Sequence, residues 1–222
     1  MDTKKIVICT LLLIVSCTLS YYFLDKQLVW FLSGHHTRKL SFLRIMSDYI
    51  PNAIGAFIAL FYIYFVFQMG SVKHSEPADK PRHTELRKLL IMCNAVVIAL
   101  FLKDTLKWVF GRSWASTFIC NNPSLLEHHV YGFHWFRSGA VFNSFPSGHT
   151  TIAFSFSTSM WLLFPTLRWL WSILAAMVVI GQLTLYYHFV SDVLAGAALG
   201  SVVAICNYRY WVQSQFSARL RQ

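Results

Sequence analysis

The sequence predicts an all-α, polytopic membrane helix bundle, with six transmembrane helices and one further helix lying on the membrane surface. Three observations predict it. Hydrophobic residues fill 56% of the 222 positions and charged residues only 13%, against about 25% charged in an ordinary soluble domain. Mean hydropathy is +0.49. The apolar residues gather into runs near the ~20 residues that cross a bilayer. Backbone polar groups in lipid have to be satisfied within their own segment, so such runs become helices. The length suits a single domain over 1–222, and the 17% aromatic content includes 10 Tyr and 8 Trp, residues that favour the membrane–water boundary.

Ile6 to Leu24 is the first span, preceded by Lys4 and Lys5. It lacks a clear small-residue cleavage site and reads as a signal anchor rather than a removed signal peptide. Leu28 to Tyr49 carries His35, His36, Arg38, Lys39 and Arg44 among Trp30, Phe31, Leu40, Phe42 and Leu43. Charge at that density does not sit at the centre of a bilayer, so an amphipathic surface helix is expected there. The remaining spans are Ala53–Met69, Leu89–Phe110, Thr150–Phe164, Leu170–Tyr187 and Val193–Tyr210.

Two polar loops set the orientation. Ser71 to Lys88 holds Lys73, Lys80, Arg82, Arg87 and Lys88, whereas Gly111 to Gly148 is long and poor in cations. The positive-inside rule puts the first loop in the cytoplasm and the second on the opposite face. On a bacterial-type reading, that face is the periplasmic side of an inner membrane. Lys4, Lys5, Arg168, Arg209, Arg219 and Arg221 agree with cytoplasmic ends; the basic segment at 35–44 does not. The net charge of +10 is spread over short segments between apolar runs, which suits anionic headgroups. No nucleic-acid motif accompanies it. Five cysteines form no CxxC pair, and only Cys120 falls in a polar loop, so neither a disulfide framework nor a zinc ribbon is suggested.

Three clusters carry chemistry. Pro146-Ser147-Gly148-His149 opens the fourth span. A glycine there permits close backbone approach, and a helix start offers unpaired N–H groups to an anion. The plainer alternative is a proline–glycine helix start with a chance histidine. His188 and Asp192 are four residues apart and share a helical face. The carboxylate can fix the imidazole tautomer and leave the other nitrogen free to attack an electrophile; the alternative is an aspartate that only caps a helix. Lys103 and Lys107 share a face at the end of the third span, with Arg112 just beyond. Cations beside hydrocarbon are functional candidates, although snorkelling to headgroups is the competing account. All three clusters end at one membrane face. Together they supply an electrostatic clamp, a nucleophile and a general acid, the parts needed for phosphoryl transfer.

These residues resemble the type 2 phosphatidic acid phosphatase family. Its second motif, Pro-Ser-Gly-His, is complete at Pro146–His149. The third keeps His188 and Asp192, followed by Val193-Leu194-Ala195-Gly196. The first keeps Lys107 and Gly111-Arg112. The resemblance runs through the chain and is strongest from Lys103 to Gly200. It implies His188 as a nucleophile forming a phosphohistidine, Asp192 as its orienting group and His149 as the acid for the leaving oxygen. Lys107, Arg112, Ser147 and the Gly148 N–H would hold the phosphoryl oxygens. It implies no metal and no cofactor, and a lipid phosphate or diphosphate as substrate.

Two motif positions depart from the family. Its Arg-Pro aligns with Trp114-Ala115 and its Ser-Arg with Gly181-Gln182. Losing a donor to a developing oxyanion costs about 10²–10³ in rate. Arg112, Arg137 or Gln182 are the residues expected to compensate, with Gln182 giving a neutral hydrogen bond. His128, His129, His134 and Glu127 form a loop cluster whose spacing matches no zinc pattern; Tyr131, Trp135 and Phe136 nearby are expected at the interface. The alternatives to a phosphatase are a phosphotransferase between lipids and a non-catalytic lipid-binding or transport protein on the same scaffold. Haloperoxidase chemistry is disfavoured by the spans and the missing arginines.

Overall fold

The computed structural model describes residues 3–71, 81–118, 121–137 and 139–219. Lys73, Lys80, Cys120 and Arg221, used in the sequence reading, lie outside them. The described chain is helical, with no strands and only isolated bridges such as Arg112 to Phe133.

Helix α1 (Thr3–Leu19) runs through a π-helical turn, Ser20–Leu24, into α2 (Asp25–Gly34). A short turn leads to α3 (Phe42–Arg44), which continues through a second π-helical stretch into α4 (Ile50–Ser71). Helix α5 spans Pro81–Phe110 and α6 is a single turn, Leu125–His128. Then follow α7 (Gly148–Leu163), α8 (Arg168–Thr184) and α9 (Val190–Arg219). Among the described residues, five stretches are long and apolar enough to cross a membrane: Lys4–Gly34, Phe42–Gln68, Glu85–Phe110, Pro165–Thr184 and Val190–Ser214. They turn apolar side chains such as Ile8, Leu12, Leu60, Phe101, Ile173 and Val202 outward, as lipid requires and water would penalise. Helix α7 is shorter, at 16 residues. It occupies the middle of the bundle, against α4, α5, α8 and α9, with Ser155, Ser157 and Ser159 buried.

The expected surface helix over Leu28–Tyr49 does not form. Residues up to Gly34 prolong the first long helix, because Val29 and Leu32 pack into a cluster with Ala115, Leu125, Tyr186 and Phe189. His36, at φ 52°, ends the helix. The charges at 35–41 therefore belong to a tight helix–helix turn. Thr37 Oγ1 donates to the Thr184 carbonyl, and Arg38 donates to the Leu185 carbonyl and to Ser116 Oγ. The turn thus sits at the same end of the bundle as the 111–147 loop and the α8–α9 junction.

The closest helix packing is between α7 and α9. A Cβ on Gly196 would lie 2.6 Å from the Ser147 carbonyl oxygen, and one on Gly200 2.5 Å from the Thr151 carbonyl oxygen. Small residues four apart let two backbones approach in a membrane. Gly200→Val should lower stability by about 1–3 kcal/mol through overpacking, read as a fall in melting temperature of the detergent-solubilised chain. An unchanged melt would mean the helices separate without cost.

Candidate active site

The site is assembled where α5, α7 and α9 meet the 111–147 loop. Helix α5 ends on Gly111, whose φ is 53°. Its N–H donates to the Lys107 carbonyl at 2.9 Å, and a Cβ there would collide with the His134 carbonyl. This left-handed glycine closure swings the chain inward and delivers Arg112 to the interior.

Arg112 is fully buried. Nη1 donates to Ser191 Oγ at 2.6 Å and to Asp192 Oδ1; Nη2 donates to Asp25 Oδ2 at 2.7 Å and to Tyr131 OH at 3.1 Å. The Phe189 ring lies 4.4 Å from the guanidinium carbon. A charge so far from water persists only when paired and hydrogen-bonded, and here two carboxylates share it. Asp25 also accepts from the Ser191 N–H at 3.0 Å, tying the first long helix to the start of α9.

Asp192 faces three ways. Oδ1 meets Arg112, and Oδ2 accepts from Ser144 Oγ at 2.6 Å and from the Phe189 N–H at 3.1 Å. The last bond reaches back over the first turn of α9, as in a capping box. Oδ2 also lies 3.3 Å from His188 Nδ1. Capping and contact with the histidine, read as alternatives from the sequence, are made by one carboxylate. Since a carboxylate accepts, the proton is assigned to Nδ1 and the lone pair to Nε2. His188 is 5% exposed. Burial pushes its pKa below the usual histidine range, against the opposing pull of Asp192.

The Pro146–His149 segment joins the same centre. The Ser147 N–H donates to the Asp192 carbonyl at 3.0 Å. Ser147 is the N-cap of α7, and its carbonyl accepts from the Thr151 N–H at 3.0 Å. Ser147 Oγ is engaged by Thr150, 3.0 Å from its hydroxyl. A Cβ on Gly148 would lie 3.2 Å from Lys103 Cδ and 3.9 Å from Lys107 Cε, so both lysines flank the helix start. His149 is within electrostatic reach of His188, Lys107, Lys103 and Asp48. Lys107 Nζ donates to the Asn143 carbonyl.

Trp114, at a position where the family pattern has arginine, is a wall. Its ring centre lies 5.2 Å from that of His188 and 5.4 Å from Lys107 Nζ, and its Nε1 donates to the Ala140 carbonyl at 2.9 Å. Gln182 faces elsewhere than expected. Its Nε2 donates to Ser47 O at 2.9 Å and Ser47 Oγ at 2.7 Å, so its amide hydrogens serve the packing of α8 on the π-helical stretch before α4 rather than an anion. Its backbone carbonyl accepts from the N–H groups of Tyr187 and His188. Arg137 is exposed, 5.5 Å from the Phe142 ring, and Trp135 and Phe136 are exposed too.

The loop histidines disperse. His128 Nδ1 lies 3.3 Å from Thr117 Oγ1, His129 stacks on Trp30, His134 lies tilted against Phe142 with ring centres 4.5 Å apart, and Glu127 accepts from Ser116, Thr117 and Ser124. Sequence reasoning missed Asp25, Ser144 and Ser191. Only Asp25 carried a signal, as an acid at the end of a long apolar run.

Comparison with known proteins identifies the family. The PAP2 superfamily model matches residues 88–216. Over 170 residues the chain is 28% identical to the bacitracin transport permease protein BcrC of Bacillus licheniformis, covering 75% of this chain and 73% of that one. Over 105 residues it is 32% identical to a lipid A 1-phosphatase of Rhizobium etli, covering 47% of this chain but only 42% of that enzyme. A solved PAP2-type phosphatidylglycerolphosphate phosphatase from Bacillus subtilis aligns over 90% of this chain and 96% of its own, with 18% identity and a TM-score of 0.36. With more than half of its length matched by the family model, and several helices able to cross a membrane, the chain belongs to the PAP2 superfamily as a multi-pass membrane protein.

Proposed function

We propose that this protein is a membrane phosphatase that hydrolyses a lipid-linked phosphate or diphosphate through a phosphohistidine at the outer, periplasmic face of an inner membrane. The observation that carries the reading is the buried His188–Asp192 pair beside the start of α7. The lipid phosphatases among its relatives support it.

With its proton held on Nδ1 by Asp192, His188 attacks phosphorus through Nε2. The bond from phosphorus to the leaving oxygen breaks, that oxygen belonging to the lipid in a monophosphate and to the remaining lipid phosphate in a diphosphate, and protonated His149 gives its proton to that oxygen. His149 then takes a proton from water, the water oxygen attacks the phosphohistidine, and inorganic phosphate leaves with His188 restored. The N–H groups of Gly148 and His149 precede the first intrahelical bonds of α7 and suit the phosphoryl oxygens, with Lys107 and Lys103 supplying positive charge. Arg112 acts differently from the phosphate clamp that the motif implies. Its terminal nitrogens are held by Asp25, Asp192, Ser191 and Tyr131, so we assign it as a positioning residue that fixes Asp192. Ser147 likewise shapes the helix start.

The test is phosphate release by the solubilised full chain from a panel including phosphatidic acid, phosphatidylglycerol phosphate, undecaprenyl diphosphate and lipid A. Release from none of them would overturn the reading. The pH profile offers a second check. Attack needs neutral His188, and burial lowers its pKa. Activity should therefore fall with acid only below about pH 6.5, the ordinary histidine value. An acid limb of kcat/KM centred above that value would contradict a buried neutral nucleophile.

A further inference from the structure

The turn between the first two long helices carries three cations that the catalytic scheme does not use. Arg38, Lys39 and Arg44 line a polar cavity of about 390 Å³ with His36, Ser41 and Tyr186. Among the described residues none of the three makes an ion pair. Arg38 is fixed by the Leu185 carbonyl at 3.3 Å and Ser116 Oγ at 3.1 Å, and its guanidinium lies 4.3 Å from the centre of the Tyr186 ring. Its Nη2 is buried without a hydrogen-bond partner. A held guanidinium with an unused buried donor is set for an anion, because leaving such a donor unpaired costs free energy.

The cavity adjoins the catalytic centre. Arg38 lies 5.3 Å from the Tyr187 ring, next in sequence to His188. Arg38 and Arg44 act electrostatically on Tyr187, and Asp48 acts on both Tyr187 and His149. Asp48 is the nearby countercharge, and it accepts from Ser47 Oγ at 2.8 Å. The placement also runs against the usual distribution of charge. The helices alternate in direction, so this turn lies at the end opposite Lys4, Lys5, Lys88 and Arg168, where the positive-inside rule disfavours lysine and arginine. Cations kept there need a reason other than orientation.

We propose that the His36–Arg44 cavity is a second phosphate subsite. It takes a phosphate-class anion beside the one attacked by His188, either a further phosphate on the same lipid or the headgroup of a neighbouring phospholipid. This rests on the phosphatase reading for its kinetic test and not for its binding test.

The experiment compares the wild-type full chain with Lys39→Gln/Arg44→Gln, two exposed positions. Both proteins are placed in phosphatidylcholine nanodiscs and given phosphatidic acid or the diphosphate of the same diacylglycerol. Losing charge-assisted contacts should lower kcat/KM for the diphosphate about tenfold more than for the monophosphate. If the anion comes from a neighbouring lipid, that ratio holds, and added phosphatidylglycerol changes the rate of the wild type but not of the variant. A preserved ratio with identical responses to phosphatidylglycerol overturns the subsite. The binding arm needs no turnover. Pyrophosphate should raise the melting temperature of His188→Ala, and should do so less once Lys39→Gln/Arg44→Gln is added. An equal rise in both proteins overturns the subsite. Stabilisation that depends on the two cations, in a wild type that hydrolyses no lipid phosphate, retains the subsite and sinks the phosphatase reading.

Discussion

His188→Ala should abolish phosphate release, by roughly 10⁴–10⁶-fold, the scale on which removing a covalent nucleophile acts in well-studied hydrolases. The loss should fall on kcat. Lys103, Lys107 and the helix start at Gly148 are untouched by the change, so lipid phosphate should still bind. The ring makes one weak polar contact set, to Asp192 and Ser144, and its removal leaves Arg112 paired on both sides. The melting temperature should therefore change little. A second readout separates chemistry from binding. Wild type quenched in alkali after brief mixing with phosphorus-labelled lipid should carry acid-labile label on protein, and His188→Ala should carry none. Wild-type turnover surviving in His188→Ala would end the phosphohistidine mechanism.

Arg112→Ala should have the largest effect on the fold. It strips the shared counterion from Asp25 and Asp192, both fully buried. Breaking a buried ion pair from one side costs about 3–5 kcal/mol, because a charge is left unpaired away from water. That corresponds to a fall in melting temperature on the order of 10 °C for a chain of this size. Asp25→Asn is the informative companion. It removes one of the two charges on Arg112 while leaving the Asp192 contact, so it should destabilise less than Arg112→Ala. If Arg112 positions Asp192 rather than gripping substrate, Asp25→Asn should lower kcat and leave KM nearly unchanged. A rise in KM with constant kcat would instead put Arg112 on the phosphate.

The ion pair also shows where reading from sequence stopped. Asp25 and Arg112 are 87 positions apart, and Arg112 and Asp192 are 80 apart. Nothing in local pattern says that a glycine closing α5 will turn a following arginine inward onto both. Arg112 looked like a free cation for phosphate because its motif position is read alone; its partners are visible only once helices pack. The segment at 35–44 failed for a related reason. Its charge density set it apart from the apolar runs, but a surface helix and a helix–helix turn have the same composition. Val29 and Leu32 packing under Tyr186 and Phe189 decided for the turn. Gln182 read as a donor to substrate until Ser47 proved to be its partner.

What the sequence determined by itself was everything that depends on short-range spacing and on solvent. Runs of apolar residues near bilayer length had to become helices, since lipid offers backbone groups no other partner. The four-position spacing of His188 and Asp192 brought their side chains together at the start of a helix. Tertiary structure alone decided which charges neutralise one another. Burial makes each ion dependent on a partner contributed by a distant helix, and that choice is made by packing geometry rather than by neighbours in the chain.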